Sequence, residues 1–269
     1  MSENPMRPMI KKVLAVAGSD CSGGAGIQAD IKTITVHKMY AMSVITALTA
    51  QNTTGIRSVA KVSPEFVGEQ LDMICTDIPP DAVKIGMVSE CGIIEVIAQK
   101  LKEYKLKNIV LDPVMISTSG RRLMKEEALS VLTGQLLPLA SIITPNLLEA
   151  EVLSGVEILS KADMLTAAKR LAETYQGSIL IKGGHLNGSS DDLLYEAGGY
   201  AWFEQANIDN PNTHGTGCTL SSAIACNLAE GKDMYHSVAS AKEYITGAIK
   251  AGLKLGEGNG PLYHCWNLR

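Results

Sequence analysis

The chain has 269 residues, 46% hydrophobic and 19% charged, an ordinary globular balance that can bury a large core without covalent staples. Its net charge of −4 excludes the basic footprint that grips nucleic acid. The first residues lack the apolar run of a secretory leader, no uncharged stretch reaches the roughly 18–20 residues of a membrane helix, and the six cysteines include no Cys-x-x-Cys pair, so a cytoplasmic protein without a zinc ribbon is expected.

Short apolar runs alternate with amphipathic helical patterns. Val13–Ala17 and Ser43–Leu48 read as strands. Ser63-Pro64 then opens a helix with Val67, Leu71, Ile74 and Ile78 on one face. Ala82–Ile85 is the next strand, followed by a helix striped by Ile93, Ile94, Ile97 and Leu101. Ile109–Asp112 and Ser141–Ile143 are strands. After Lys161 a helix presents Met164, Leu165, Ala168 and Leu171, with Gly177 as its stop. Ser178–Ile181 is the sixth strand, and two helices close the chain, Thr216 to about Glu230 and about Met234–Leu255. The flat hydrophobicity of the strands suits burial on both faces. The expected fold is therefore α/β, one three-layer αβα domain over residues 1–269 with a mostly parallel central sheet. In such sheets ligands bind beyond the carboxyl ends of the strands.

Five motifs stand at those ends. Gly18-Ser19-Asp20-Cys21-Ser22-Gly23-Gly24-Ala25-Gly26 follows the first strand. It mimics a dinucleotide fingerprint and a P-loop, but it starts too far from the strand for the first and lacks the Lys-[Ser/Thr] of the second. Its polar residues favour a substrate loop over a bare turn. Thr213-His214-Gly215-Thr216-Gly217-Cys218 leads into a helix, where free backbone N–H groups and the helix dipole make an anion hole. That dipole lowers a thiol pKa at Cys218, while nucleotide phosphates would push it the other way. Thr144-Pro145-Asn146-Leu147-Leu148-Glu149 puts an amide and a carboxylate three apart, which suits Mg²⁺ or its water shell; read alone, a capping box is the simpler account. Lys182-Gly183-Gly184-His185 offers a strand-end cation to phosphate oxygens, or a solvated turn lysine. Asp112, ending a buried strand before Pro113-Val114-Met115, is costly unless it is paired or ligating.

Taken in order, with Ile45–Thr53, Lys84-Ile85-Gly86-Met87 and the closing Gly258-x-Gly260-Pro261-x-x-His264, these motifs resemble the ribokinase-like superfamily. Within it the chain is similar to the hydroxymethylpyrimidine/phosphomethylpyrimidine kinase family over essentially its whole length. The resemblance implies ATP-dependent phosphorylation of an aminopyrimidine alcohol and of its monophosphate in thiamine biosynthesis, and a homodimer. It implies a substrate pocket of Gly18, Asp30, Gln51, Met87 and Val114. A glutamine suits an aminopyrimidine because it both donates and accepts. Mg·ATP would be organised by Asn146, Glu149 and Asp112, with Thr213 on the nucleotide side. Lys182 would contact phosphates, and Gly215, Thr216, Gly217 and Cys218 would form the anion hole. The alternative is a cysteine-bearing subgroup that phosphorylates pyridoxal. That subgroup carries a second cysteine after Asp-Pro-Val-Met, and the segment from Ile116 to Arg122 has none.

Overall fold

A computed structural model describes residues 10–115, 124–184 and 190–268. The elements run β1 (Lys12–Asp20), α1 (Gly26–Val36), β2 (Tyr40–Asn52), β3 (Gly55–Lys61), α2 (Pro64–Asp77), β4 (Ala82–Ile85), α3 (Cys91–Glu103), β5 (Ile109–Leu111) and α4 (Glu126–Val131). Then come β6 (Ile142–Ile143), α5 (Leu147–Ser154), α6 (Lys161–Ala172), β7 (Ser178–Ile181), β8 (Asp192–Glu196), β9 (Gly199–Phe203), α7 (Thr216–Glu230) and α8 (Met234–Ala251). All the strands join one sheet in the order β3-β2-β1-β4-β5-β6-β7-β8-β9. The pairs from β2 to β7 are parallel, and β3, β8 and β9 add antiparallel edges.

The sheet is covered on both faces, which is why its central strands are apolar throughout. Leu14 and Val16 of β1 pack with Val67 and Leu71 of α2, Ile94 and Ile97 of α3 and Met164 of α6. Val13 and Ala15 point the other way, to Ile34 of α1, Ala223 and Ile224 of α7 and Val238 and Ala241 of α8. Strand order reverses at β1, which lies between β2 and β4. A crevice opens where the connections at such a switch point diverge.

Several boundaries differ from the sequence reading. β3, β8 and β9 were not expected. Every residue of β3 is exposed, so it carries no buried pattern to detect. The last helix stops at Ala251 with Gly252 as its cap, short of Leu255. α6 ends at Ala172, five residues before Gly177. Gly177 serves packing: a side chain there would run into the Tyr175 hydroxyl, which donates to Ala140 O at 2.9 Å.

The segment after α8 straps the site from outside. Gly258 N donates to Thr53 Oγ1 at 3.2 Å, beyond the tip of β2, and Gly260 O accepts from His214 N at 3.1 Å. His264 is buried, 3.0 Å from the Thr219 hydroxyl in α7. Burial, helped by the charge of Lys32, pushes the imidazole down from 6.5 to about 4. Between those values the unfolded chain takes up a proton that the folded chain refuses, so stability is intact above pH 6.5 and falls as pH drops towards 4. His264→Gln should flatten that acid limb. Thermal unfolding at pH 7 and pH 5 checks it; an unchanged difference in Tm would place the acid sensitivity elsewhere.

Candidate active site

The substrate loop begins where β1 and β2 slip register. A bulge between Ala17 and Ser19 sets Ser19 opposite Leu48 and Asp20 opposite Thr49, and a second irregularity in the β2–β3 pairing falls at Gln51. Such bulges re-aim side chains at sheet ends. Asp20 organises the loop. Its Oδ1 accepts from Ser22 N (2.9 Å) and Ser22 Oγ (2.7 Å), and its Oδ2 from Ala25 N at 2.9 Å. The same Oδ2 lies 2.8 Å from His214 Nε2. Burial alone would raise the Asp20 pKa, but the His214, Ser22 and Ala25 hydrogen bonds outweigh it and hold the carboxyl down to about 2.

One glycine lets this loop fold tightly on itself and another lets it interlock with the loop before α7. At Gly26 (φ 55°) a Cβ would overlap the Gly18 carbonyl, and at Gly215 (φ 86°) the Gly24 carbonyl. Gly24 itself lies against the His214 ring, leaving no room for a side chain. Gly215 caps α7 in the left-handed conformation without a side-chain acceptor; the Thr216 N–H turns back to Thr213 O at 3.2 Å, so the first-turn N–H groups left for an anion are those of Gly217 and Cys218.

Opposite stands the charged cluster. Lys182 Nζ donates to Asp112 Oδ1 at 2.7 Å, and Thr144 Oγ1 donates to the same oxygen at 3.1 Å. A Cβ at Gly217 would lie 3.3 Å from Asp112 Oδ2 and 3.4 Å from Lys182 Nζ, so the start of α7 rests directly on this pair. Asn146 and Glu149 close a capping box on α5: Asn146 Oδ1 accepts from Glu149 N at 2.9 Å, and Glu149 Oε2 from Asn146 N at 2.8 Å. Glu149 Oε1 accepts from Met115 N at 3.2 Å. Burial, with Asp112 adding to it against the pull of Lys182, raises the Glu149 carboxyl to about 7. The capping account of this pair is therefore realised. No group of three or more His, Cys, Asp or Glu that could hold a metal occurs among the described residues. Mg²⁺ commonly uses one or two carboxylates and takes its other ligands from water and phosphate, which Asp112 Oδ2 beside the anion hole can serve.

The structure corrects one expectation. Asp30 does not face the cleft. It is fully buried, its oxygens 2.8 and 2.9 Å from Lys84 Nζ, with Ser222 Oγ donating to Oδ1 at 2.8 Å. For the Cys218 thiol, one turn before Ser222, the sequence sets the helix dipole against nucleotide phosphates and leaves the direction open. Burial pushes it up, against Lys84, with Asp30 and Asp112 pushing it further. Gly18 and Met87 adjoin, a Cβ on Gly18 standing 2.7 Å from Met87 Cε, and the Gln51 amide lies 3.2 Å from the His214 ring. Val114, half-buried, follows Asp112, and Thr213 is exposed at the start of the anion loop, its carbonyl accepting from Thr216 Oγ1 at 2.7 Å. His185 and the segment from Ile116 to Arg122 lie outside the described residues. Sequence reasoning assigned no role to Asp20, His214 or Lys84. The rule that flagged Asp112 applies equally to Asp20 at the end of β1, and a lysine inside Ala-Val-Lys-Ile requires a buried partner.

A parallel sheet with a strand-end cation–carboxylate pair facing a glycine-capped helix is the architecture of an α/β phosphotransferase of the ribokinase-like class. Residues 20–263 match the phosphomethylpyrimidine kinase family, and the chain belongs to it. The chain is 48% identical to the thiamine biosynthesis bifunctional protein ThiED of Geobacter sulfurreducens, over 94% of this chain, and spans 52% of that protein's length. It is 45% identical to the hydroxymethylpyrimidine/phosphomethylpyrimidine kinase of Rhizobium meliloti, covering 93% of this chain and 96% of the relative. Among solved structures, a phosphomethylpyrimidine kinase from Clostridium difficile superposes with TM-score 0.81 at 45% identity, covering 89% of this chain and 99% of the other. The pyridoxal kinase of Staphylococcus aureus in complex with AMP-PCP superposes with TM-score 0.90 at 34% identity, covering 97% and 95%.

Breaking the buried pair should reveal its weight. Lys84→Met leaves Asp30 charged and unpaired, and should cost about 3–5 kcal/mol in urea unfolding. Adding Asp30→Leu should return much of that loss, because apolar replacement of a buried pair is often neutral. A double variant no more stable than the single would remove unpaired charge as the cause.

Proposed function

We propose that the chain, residues 1–269 as one kinase domain, transfers the γ-phosphoryl group of ATP to 4-amino-5-hydroxymethyl-2-methylpyrimidine and then to its monophosphate, in thiamine biosynthesis. The observation that carries this reading is the convergence of the Asp112–Lys182 pair with the start of α7, where a Cβ at Gly217 would lie 3.3 Å from Asp112 Oδ2 and 3.4 Å from Lys182 Nζ. Identity of 45% to a hydroxymethylpyrimidine/phosphomethylpyrimidine kinase and 48% to a bifunctional thiamine biosynthesis protein, against 39% and 34% to the Bacillus subtilis and Staphylococcus aureus pyridoxal kinases, favours the aminopyrimidine over pyridoxal. The absence of cysteine from Ile116 to Arg122 points the same way.

In the first transfer the hydroxymethyl oxygen bonds to the γ-phosphorus, the bond from that phosphorus to the ADP oxygen breaks, and the alcohol proton must leave. Lys182 and the N–H groups of Gly217 and Cys218 stabilise the charge spread over the moving phosphoryl oxygens. Asp112, with water held near Asn146 and Glu149, would hold a nucleotide-bound Mg²⁺, which would supply charge neutralisation to the phosphates. Cys218 accepts the alcohol proton through its minor thiolate fraction. The second transfer has a phosphate monoester as nucleophile, whose second pKa of about 6 leaves it ionised near neutrality. It needs Lys182 and the anion hole but no base.

A cytoplasmic setting suits six cysteines that are all free thiols. A homodimer through the β2–β3 edge would cover Leu48, Ile56 and Val59, each about half exposed at 48%, 52% and 53%. Ile56→Glu should then halve the sedimenting mass. A wild-type chain that already sediments as a monomer would dispose of the dimer.

The two transfers separate the roles. Because burial raises the thiol, its thiolate fraction is small at pH 7 and grows with pH. The first-step kcat should therefore climb above neutrality, and Cys218→Ala should remove both the climb and most of the rate. The second step should be spared, while Lys182→Ala should slow both. Equal loss in both steps for Cys218→Ala would make Cys218 part of the anion hole and no base.

A further inference from the structure

The side-chain amide of Gln51 lies between two neighbours that settle which way it faces. As placed, its Nε2 is 3.2 Å from His214 Nε2 and its Oε1 is 3.3 Å from Thr49 Oγ1. Amide oxygen and nitrogen are assigned from their partners, so the partners must be able to play the roles given them.

His214 cannot. Its Nε2 stands 2.8 Å from Asp20 Oδ2, and an ionised carboxylate only accepts. Asp20 is ionised throughout the working pH range. Two lone pairs facing at that distance would repel, so the hydrogen sits on Nε2. A protonated Nε2 is a donor and cannot take an N–H from Gln51. Thr49 fails in the complementary way. Its hydroxyl has one proton, and Thr49 Oγ1 lies 3.0 Å from Ser19 O, a carbonyl that can only accept. With the proton committed there, Oγ1 has only lone pairs left for Gln51.

Both neighbours demand the same change, a half-turn of the amide that brings Oε1 to His214 and Nε2 to Thr49. We infer that His214, held by Asp20 as an Nε2–H donor, is the positioning residue that fixes the direction of the Gln51 amide and so sets specificity for the pyrimidine. The hydrogen bonds then form a loop that starts and ends at the tip of β1. His214 shares its single Nε2–H, chiefly with Asp20 at 2.8 Å and in a three-centre contact with the Gln51 carbonyl at 3.2 Å, Gln51 donates to Thr49, and Thr49 donates to Ser19, the residue beside Asp20.

The chemistry follows from what remains free. The fixed amide keeps one carbonyl lone pair on the His214 side and one N–H on the Thr49 side. A ring nitrogen beside an exocyclic amine offers the matching acceptor and donor, in one orientation only. An analogue with a carbonyl in place of the amine turns that ring nitrogen into an N–H and reverses the pattern. A free amide would turn over to suit either ligand; a fixed one rejects the reversed pattern. His214 therefore contributes discrimination beyond affinity.

This inference rests on Gln51 contacting the substrate, and the test separates the two. The kcat/KM for the aminopyrimidine alcohol and for its carbonyl analogue is measured for wild type, His214→Leu, Thr49→Val, Gln51→Leu and the two doubles with Gln51→Leu. Thr49→Val is nearly isosteric and lies in β2, away from the anion loop, so it stands in if His214→Leu disturbs that loop. Each of His214→Leu and Thr49→Val should lower the preference for the amine by about ten-fold, the weight of one directional hydrogen bond, with KM for ATP unchanged. Neither should lower it further once Gln51 is leucine. Gln51→Leu with wild-type KM for the pyrimidine would sink the substrate assignment itself. Gln51→Leu that raises this KM, alongside His214→Leu and Thr49→Val that keep the full preference, would overturn the positioning role alone. So would losses that persist undiminished in the Gln51→Leu background.

Discussion

The buried ion pair between Lys84 and Asp30 is the constraint on which the rest of the site depends. Lys84 rises from β4 with no exposure, and its ammonium lies so close to Gly86 that a Cβ there would stand 2.7 Å away. Its partner Asp30 belongs to α1, and Ser222, donating to the same carboxylate, belongs to α7. One pair of charges thus joins a central strand, the helix behind the substrate loop and the helix that starts at the anion hole. Such a pair adds little net stability over well-packed apolar side chains. What it supplies is geometry, because neither charge can stay buried unless all three elements hold their places.

Above that anchor the site divides. On one side, Asp112 and Lys182 neutralise one another at the ends of β5 and β7, and Gly217 brings α7 onto them. On the substrate side, the Asp20–His214 contact spans 194 residues of sequence and ties the loop after β1 to the loop before α7. The closing strap reaches the turn after β2 at Thr53 and the loop before α7 at the His214 backbone. The residues that hold the substrate loop in shape are thus bonded to the segment that leads into the anion hole.

The parallel strands were legible because each is buried on both faces, and α7 because its glycines and small residues mark its start. β3 was not, since a fully exposed strand has no apolar period, and neither were the edge strands β8 and β9. Within the site, spacing conveyed what is local. The Asn146/Glu149 box, three residues apart, could be read directly, although the same two residues were also expected at the metal. Long-range pairing was invisible: Lys84 and Asp30 are 54 residues apart, and nothing in either motif names the other. Family resemblance placed Asp30 at the substrate, and burial moves it beneath the floor. The Cys218 thiol shows the same limit. Its helix position is written in the sequence, but its burial depends on side chains from other elements, and burial dominates.

The interlocked loops carry a consequence for how this pocket could change over evolutionary time. Gly24, Gly26 and Gly215 contribute no side-chain chemistry, yet a single methyl group at any of them meets a carbonyl or the His214 ring. Positions nearest the reacting atoms are therefore closed to variation for steric reasons alone. With the proposed substrate walls at Met87, Val114 and Gln51, new substrate preferences would be drawn from those positions. A library that randomises the glycine loops would mostly sample broken scaffolds, while one confined to those three wall positions would explore chemistry on an intact frame.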